Sequence, residues 1–119
     1  YMGIGSAPEG VIAATAVKGL GGYFDGKLHF HSDEARERAK GMSDISVDEI
    51  IDIDSLCVSS NSIFVATGVC DGWIDGVKIN EDKAYTNTVL IDVDKLEIHR
   101  INNCHSIKNV NKYIMEGVD

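Results

Sequence analysis

The sequence predicts one α/β domain, with a mixed β-sheet flanked by helices in a layered αβα arrangement. Short segments in which apolar and polar residues alternate, as is typical of strands, lie between segments whose apolar residues recur at helical spacing. A chain of 119 residues that is 44% hydrophobic is also long enough for one core. No linker or repeat divides the sequence, so we treat residues 1–119 as a single domain.

The first predicted helix begins at the segment GIGSAPEG. Pro8 suits the first helical position because its missing N–H has no partner there in any case, and Ser6 or Ala7 can act as the cap. Glu9 falls in the first turn, and the glycines at 21–22 end the helix. Small residues dominate the helix. We therefore expect it to be buried between layers and closely approached by neighbouring backbone.

Two elements and one ambiguous segment follow. Residues 23–30 alternate as a half-buried strand, and a short helix over 33–40 is capped by Ser32 and ended by Gly41. The segment SVDEIIDIDSLC at 46–57 fits either a helix with a capping box or a short strand at 50–51 leading into one helical turn. We choose the strand.

The second half of the sequence predicts mainly strands. The apolar run at 62–69 is typical of a central strand covered on both faces, with a turn at 70–76. Residues 83–102 predict two strands joined by a tight turn near Asp94. A terminal helix follows, with one apolar stripe at Ile107, Val110, Ile114 and Val118.

Charge and cysteine content exclude several function classes. A formal charge of −8 argues against nucleic acid or an anionic membrane as the main partner, since both need a positive field. No apolar run is long enough for a membrane span and no signal sequence opens the chain, so we expect a soluble, cytoplasmic protein. Three widely spaced cysteines predict reduced, mostly buried thiols.

The glycine-rich opening has two interpretations. A strand that passes through glycines into a helix exposes backbone N–H groups at the positive end of the helix dipole, where phosphate binds. Turns of this kind are also common without a ligand, and spacing alone slightly favours a structural turn. Glu9 is by itself more typical of a dipole-stabilising surface residue. If phosphate binds here, a divalent cation between the two anions is expected, which indicates phosphoryl chemistry.

Other groups that could carry chemistry have structural explanations that we favour. His29 and His31 share one strand face, yet the sequence places no third metal ligand near them. Cys104 adjoins His105, but neither a positioned base nor an oxyanion site follows from the sequence. Asp71 precedes a glycine and is first of all a turn residue.

Four segments carry a family resemblance. MGIGSAPEGVIAATAVKGLGG at 2–22 closely resembles a motif of class II fructose-1,6-bisphosphatases, bacterial sugar bisphosphatases of the lithium-sensitive phosphatase superfamily. GMSD at 41–44, NSIFVATGVCDGWIDGV at 61–77 and the region ending in RINNCH at 100–105 resemble the same family in the same order. The resemblance identifies the chain as the C-terminal half of such an enzyme. It implies metal-dependent hydrolysis of the 1-phosphate of fructose 1,6-bisphosphate in gluconeogenesis, with sedoheptulose 1,7-bisphosphate as a close variant.

The resemblance also implies roles for four residues. Glu9 matches a family ligand of Mg²⁺ or Mn²⁺, and Ser6 matches a residue that contacts the substrate phosphate. Gly5 and Ala7 are neighbours whose amides can contribute. The family usually has glycine where this chain has Ser6, so the added hydroxyl either crowds the phosphate or donates to it.

Most family metal ligands and the residues that hold the sugar bisphosphate lie upstream of this motif, in a missing N-terminal half. A single carboxylate cannot assemble a multi-metal site, so we expect the chain alone to be inactive. An exposed sheet interface also leads us to expect a homo-oligomer. The alternative is a non-catalytic module for sugar-phosphate binding or subunit association.

Overall fold

The computed structural model describes residues 2–42, 46–58 and 61–108. Within these ranges the chain alternates helices and strands, which confirms the α/β class. The elements are α1 (Ala7–Gly19), β1 (Asp25–Lys27), α2 (Asp33–Lys40), β2 (Ile50–Asp52), α3 (Ile53–Leu56), β3 (Ile63–Thr67), β4 (Lys78–Asn80), β5 (Lys83–Asp92) and β6 (Glu97–Ser106).

The strands form two sheets in which every described pairing is antiparallel. β1 pairs with β2 in a small two-stranded sheet. In the four-stranded sheet, β5 lies at the centre, with β3 and β4 along one edge and β6 along the whole of the other. Leu90, for example, pairs with Val65 on one side and His99 on the other.

The core lies where the C-terminal half of α1 packs on β5. Val89 and Ile91 are almost completely buried there, and Ala14 and Gly19 are the buried residues of α1. A Cβ on Gly19 would lie 2.4 Å from Cγ2 of Ile91, so only glycine allows this approach. The close approach expected of this helix is therefore confirmed at its last turn.

Burial of α1 between two layers is a wrong prediction for the described chain. Val11 is 42% and Ile12 57% exposed, because only one side of the helix packs on the sheet. β3 is likewise covered on one face only within the described chain. Within the described ranges it pairs with β5 alone and is an edge strand rather than a central one, and Ile63 and Val65 remain 60% and 57% exposed on the sheet face opposite α1. Both errors have one cause: an apolar pattern predicts burial but does not identify the element that provides it.

Several local predictions are confirmed. Burial alternates along residues 23–30, although only 25–27 form a strand. Ser32 caps α2 by accepting a hydrogen bond from the Ala35 amide, and Gly41 ends the helix. The strand chosen at 50–51 and the helical turn after it are β2 and α3, and the predicted hairpin is β5–β6. β4 was not predicted, and the predicted terminal helix lies largely outside the described residues.

Lys18 joins α1 to α3 through a hydrogen bond and an ion pair. Lys18 Nζ donates to the Cys57 carbonyl at 2.7 Å and pairs with Asp54 Oδ1 at 2.9 Å. The hydrogen bond to Asp54 raises the pKa of Lys18. Asp52 starts α3 by accepting a hydrogen bond from the Ser55 amide at 2.8 Å, which places Asp54 opposite the lysine.

Asp52→Ala should lower the midpoint of thermal unfolding by a few degrees at pH 7, because α3 loses its cap. Hydrogen bonding from Ser55 lowers the pKa of Asp52 below 3.8, so the stabilisation is present above that pH and disappears as the pH falls through the folded-state pKa. The difference between wild type and variant should therefore shrink in acid when followed by circular dichroism. Asp52→Asn keeps an acceptor and is the control. Equal midpoints for wild type and Asp52→Ala at pH 7 would contradict the capping role.

The cysteines differ in exposure. All three are free thiols, and Cys57 is buried, but Cys70 and Cys104 are exposed. The expectation of mostly buried thiols is therefore wrong. Among the described residues, the helices are too short or too polar to cross a membrane.

Candidate phosphate and metal site at the start of α1

The candidate site is the first turn of α1 and the extended segment before it. Ser6 is the N-cap with φ −78° and ψ 164°, and its carbonyl accepts from the Gly10 amide at 3.1 Å. Its hydroxyl makes no capping hydrogen bond. Pro8 has no N–H, and the amides of Ala7 and Glu9 lie in the first turn, where no intrahelical acceptor exists. Donors thus collect at the positive end of the dipole.

Glycine in this turn is not explained by packing within the described residues. A Cβ on Gly5 would lie 4.0 Å from the Glu9 Cβ, an ordinary contact. At Gly10 the described chain offers nothing within 4 Å of an added Cβ. Gly19, at the other end of the same helix, is enclosed by side chains. The open space at Gly5 and Gly10 therefore suits a group from outside the described chain that approaches the backbone.

The packing of α1 explains why its first turn is presented to solvent. The last turn is held in place by the packing of Gly19 against β5 and by the contacts of Lys18 with Asp54 and the Cys57 carbonyl. Residues 2–9, in contrast, are exposed throughout. A helix held at one end projects its N-terminal turn as a rigid unit, which is what a pre-formed anion site needs.

Glu9 is the acidic residue of this turn, and its carboxylate is exposed. Among the described residues, no three His, Cys, Asp or Glu side chains lie close enough together to hold a metal ion. Mg²⁺ commonly takes one or two carboxylates together with phosphate oxygens and water. Glu9 therefore fits as one ligand of an ion shared with phosphate, while further ligands must come from outside the described chain.

His29 and His31 contact each other through their rings. The rings of His29 and His31 meet edge to face with centroids 5.7 Å apart, beside an open concavity that Arg36 and Asp48 also line. Arg36 and Asp48 neutralise each other in an ion pair, which lowers the pKa of the Asp48 carboxyl. Among the residues that the structure describes, this concavity therefore offers neither a cluster of metal ligands nor a free positive charge.

Cys104 and His105, in β6, do not form a site together either. Cys104 and His105 are consecutive in a strand and point to opposite faces of the sheet, so they do not form a thiol–imidazole pair. His105 Nε2 instead lies 3.1 Å from Thr86 Oγ1.

The turn at 70–76 contains a contact that sequence reasoning missed. Asp71 accepts a hydrogen bond from the Gly76 amide at 2.9 Å, which confirms its turn role. The Trp73 ring lies 5.9 Å from the Arg100 guanidinium carbon in a cation–π arrangement. No local pattern in the sequence signals a contact between residues so far apart along the chain.

Comparison with known proteins gives one consistent result. A family model described as "Bacterial fructose-1,6-bisphosphatase, glpX-encoded" matches residues 1–105. Two proteins from Prochlorococcus marinus, strains MIT 9515 and NATL1A, are each 36% identical to the chain and are named D-fructose 1,6-bisphosphatase class 2/sedoheptulose 1,7-bisphosphatase. Each alignment covers 76% of this chain and 31% of the relative, so the chain spans less than a third of these relatives. The chain belongs to the bacterial, glpX-encoded fructose-1,6-bisphosphatase family.

Proposed function

We propose that the chain is the C-terminal part of a metal-dependent phosphatase that hydrolyses the 1-phosphate of fructose 1,6-bisphosphate. The observation that carries this proposal is the exposed first turn of α1, where unpaired amides, open glycine positions and one carboxylate adjoin. Family membership and the names of the relatives support it. Sedoheptulose 1,7-bisphosphate is a second substrate of the same chemistry.

Each residue of the turn has a distinct role in this proposal. The backbone from Gly5 to Ala7 and the dipole of α1 hold the phosphate, and the Ser6 hydroxyl, which caps nothing, is available to donate to a phosphate oxygen. Glu9 supplies one ligand for Mg²⁺ or Mn²⁺. When bound, the ion polarises the phosphoryl oxygens and activates water.

The remaining ligands and the sugar contacts come from polypeptide that precedes this region in the relatives, which are more than three times as long as the matched part. The N-terminal half of the same protein is therefore the first partner that we propose, and the isolated chain is inactive. The proposed setting is gluconeogenesis in the cytoplasm.

Release of phosphate from fructose 1,6-bisphosphate tests this proposal. The complete protein should release phosphate with Mn²⁺ or Mg²⁺, and the present chain, shown to be folded by circular dichroism, should release none above background. Turnover by the isolated chain would contradict the proposed dependence on the N-terminal half. Absence of turnover by the complete protein with either metal and either sugar bisphosphate would contradict the phosphatase proposal.

A non-catalytic module is the second candidate. The observation that favours it is that Glu9 has no companion ligands among the described residues. This candidate predicts that the complete protein binds the sugar bisphosphate in calorimetry without hydrolysing it, so the same preparations distinguish the two functions.

A further inference from the structure

The four-stranded sheet has an exposed region on the face away from α1, near the end of β6. Ile91 of β5 lies against Gly19 of α1, so the even-numbered residues of β5 point to the other face. The pairing of β4 and β6 with β5 places Ile79 and Ile101 on that face, where they are 70% and 39% exposed. We use the name open face for the side chains of this region, which are Ile79, Ala84, Thr86, Thr88, Ile101, Asn103 and His105.

The reverse side of the same part of the sheet is polar. There the three strands carry mainly lysine, asparagine and other polar side chains, namely Lys78, Asn80, Lys83, Tyr85, Asn87, Asn102, Cys104 and Ser106. On the open face, an apolar element buries isoleucine and threonine methyl groups without desolvating a lysine or a carboxylate. The imidazole of His105 there already has a partner in Thr86, at 3.1 Å. An apolar helix stripe at this end of the sheet is therefore expected to select the open face.

The chain leaves β6 at the turn that joins β4 to β5. Directly after the strand, Ile107 donates its amide to the Asp82 carbonyl at 2.8 Å, and Lys108 Nζ pairs with Asp82 Oδ2 at 2.7 Å. Ile107 and Lys108 already have helical backbone. Residues 109–119 lie outside the described ranges, and their sequence continues the apolar stripe that begins at Ile107 with Val110, Ile114 and Val118.

We propose that residues 107–119 return along β6 as a helix whose apolar stripe covers the open face. The lengths agree, because a helix rises about 16 Å from residue 107 to residue 118, and a strand spans about 16 Å from Ser106 back to Ile101. Val118 then lies over Ile101. Lys108 and Lys112 fall on the opposite side of the helix and remain in solvent.

The missing N-terminal half of the protein is expected on the other side of the sheet. In the proposed function it supplies ligands at the first turn of α1, which packs on the reverse face, and this step alone rests on that function. On that side it also finds exposed apolar side chains, those of Met2, Ile4, Val11 and Ile12. Residues 107–119 are instead attached beside the open face, so their packing there is intramolecular and has a high effective concentration.

Disulfide trapping tests the position of the segment in the complete protein. In a background with Cys70→Ser and Cys104→Ser, the pair Asn103→Cys and Ile114→Cys should form an intramolecular disulfide after mild oxidation, identified by mass spectrometry of the peptides. Both positions lie about 10 Å from the end of β6, one along the strand and one along the proposed helix. The matched control combines Ile114→Cys with the natural Cys104, one position away on the reverse face, and should form little disulfide.

Thiol labelling gives a second readout that needs no oxidation. Asn103→Cys should react with a water-soluble maleimide about tenfold faster or more in a protein that ends at Lys108 than in one that ends at Asp119, because the open face loses its cover. Cys104 should react at the same rate in both, since it lies on the reverse face. Circular dichroism checks that the shortened protein is folded.

Two results would overturn the proposal. One is an equal disulfide yield from the pair at 103 and the pair at 104, or none from the pair at 103. The other is labelling of Asn103→Cys that does not change when residues 109–119 are removed, as expected if the N-terminal half covers this face. Neither measurement uses substrate or metal, so a failure of the phosphatase proposal, seen as absent phosphate release, is a separate result.

Discussion

Replacing Glu9 with glutamine in the complete protein should lower kcat for fructose 1,6-bisphosphate by about 100-fold or more while the fold is kept. The amide is nearly isosteric but carries no charge, so it binds a divalent ion poorly. Glu9 is exposed and makes no ion pair among those of the described residues, so its loss should leave thermal unfolding almost unchanged. Phosphate release at saturating substrate, over a range of Mn²⁺ concentrations, measures the effect.

Glu34→Gln is the matched control for this prediction. Glu34 is also an exposed glutamate in the first turn of a helix, α2, so the change removes the same charge from a similar dipole position. It should retain turnover and its Mn²⁺ requirement. If Glu9→Gln and Glu34→Gln were equally active, Glu9 would be a surface residue that stabilises its helix, and the proposed metal role would be wrong.

The sequence predicted those features of the fold that depend on short-range physics. Ser32 and Asp52 are capping residues, and their side chains accept hydrogen bonds from amides three residues later, so the start of each helix is encoded locally. The β5–β6 hairpin is also local, because a turn at 93–96 joins strands whose pairing begins beside it.

Long-range features could not be predicted in the same way. The apolar run of β3 indicates burial, yet Ile63 and Val65 remain more than half exposed within the described chain, because burial depends on which element packs on that face. Trp73 and Arg100 meet through the folding of the sheet, and neither has a local signal for the other. β4 has only three residues, too few for an alternation pattern.

The sequence predicted where α1 starts, which is where the candidate site is proposed, but it did not show which further residues would complete the site. Proline and glycine spacing placed a helix start at Pro8, and the structure places Ser6 at the cap and Glu9 in the first turn. The resemblance to a phosphatase family supplied the roles. The structure adds that the Gly5 and Gly10 positions are open within the described chain, which no sequence pattern shows.

Gly19→Ala should destabilise the protein by about 1–3 kcal/mol, because the added methyl group overpacks the junction of α1 and β5. Its Cβ would lie 2.4 Å from Cγ2 of Ile91 and 3.3 Å from Cγ2 of Val93. Gly10→Ala makes the same change in the same helix, where the described chain leaves the space open, and higher helix propensity should leave its stability equal or greater. Equilibrium unfolding in urea compares the two variants.

A double-mutant cycle connects the Gly19 effect to its cause. Ile91→Ala alone should cost about 2–5 kcal/mol, because Ile91 is fully buried and its removal leaves a cavity. The methyl group of Gly19→Ala partly fills that cavity, so the double variant should be more stable than the sum of the two losses by at least about 1 kcal/mol. Val89→Ala, at a similarly buried site that is not among the nearest neighbours of a Cβ at Gly19, should combine additively. Additivity in both pairs would show that Gly19 is not required by Ile91, and the rigid attachment that presents the first turn of α1 would lose its main support.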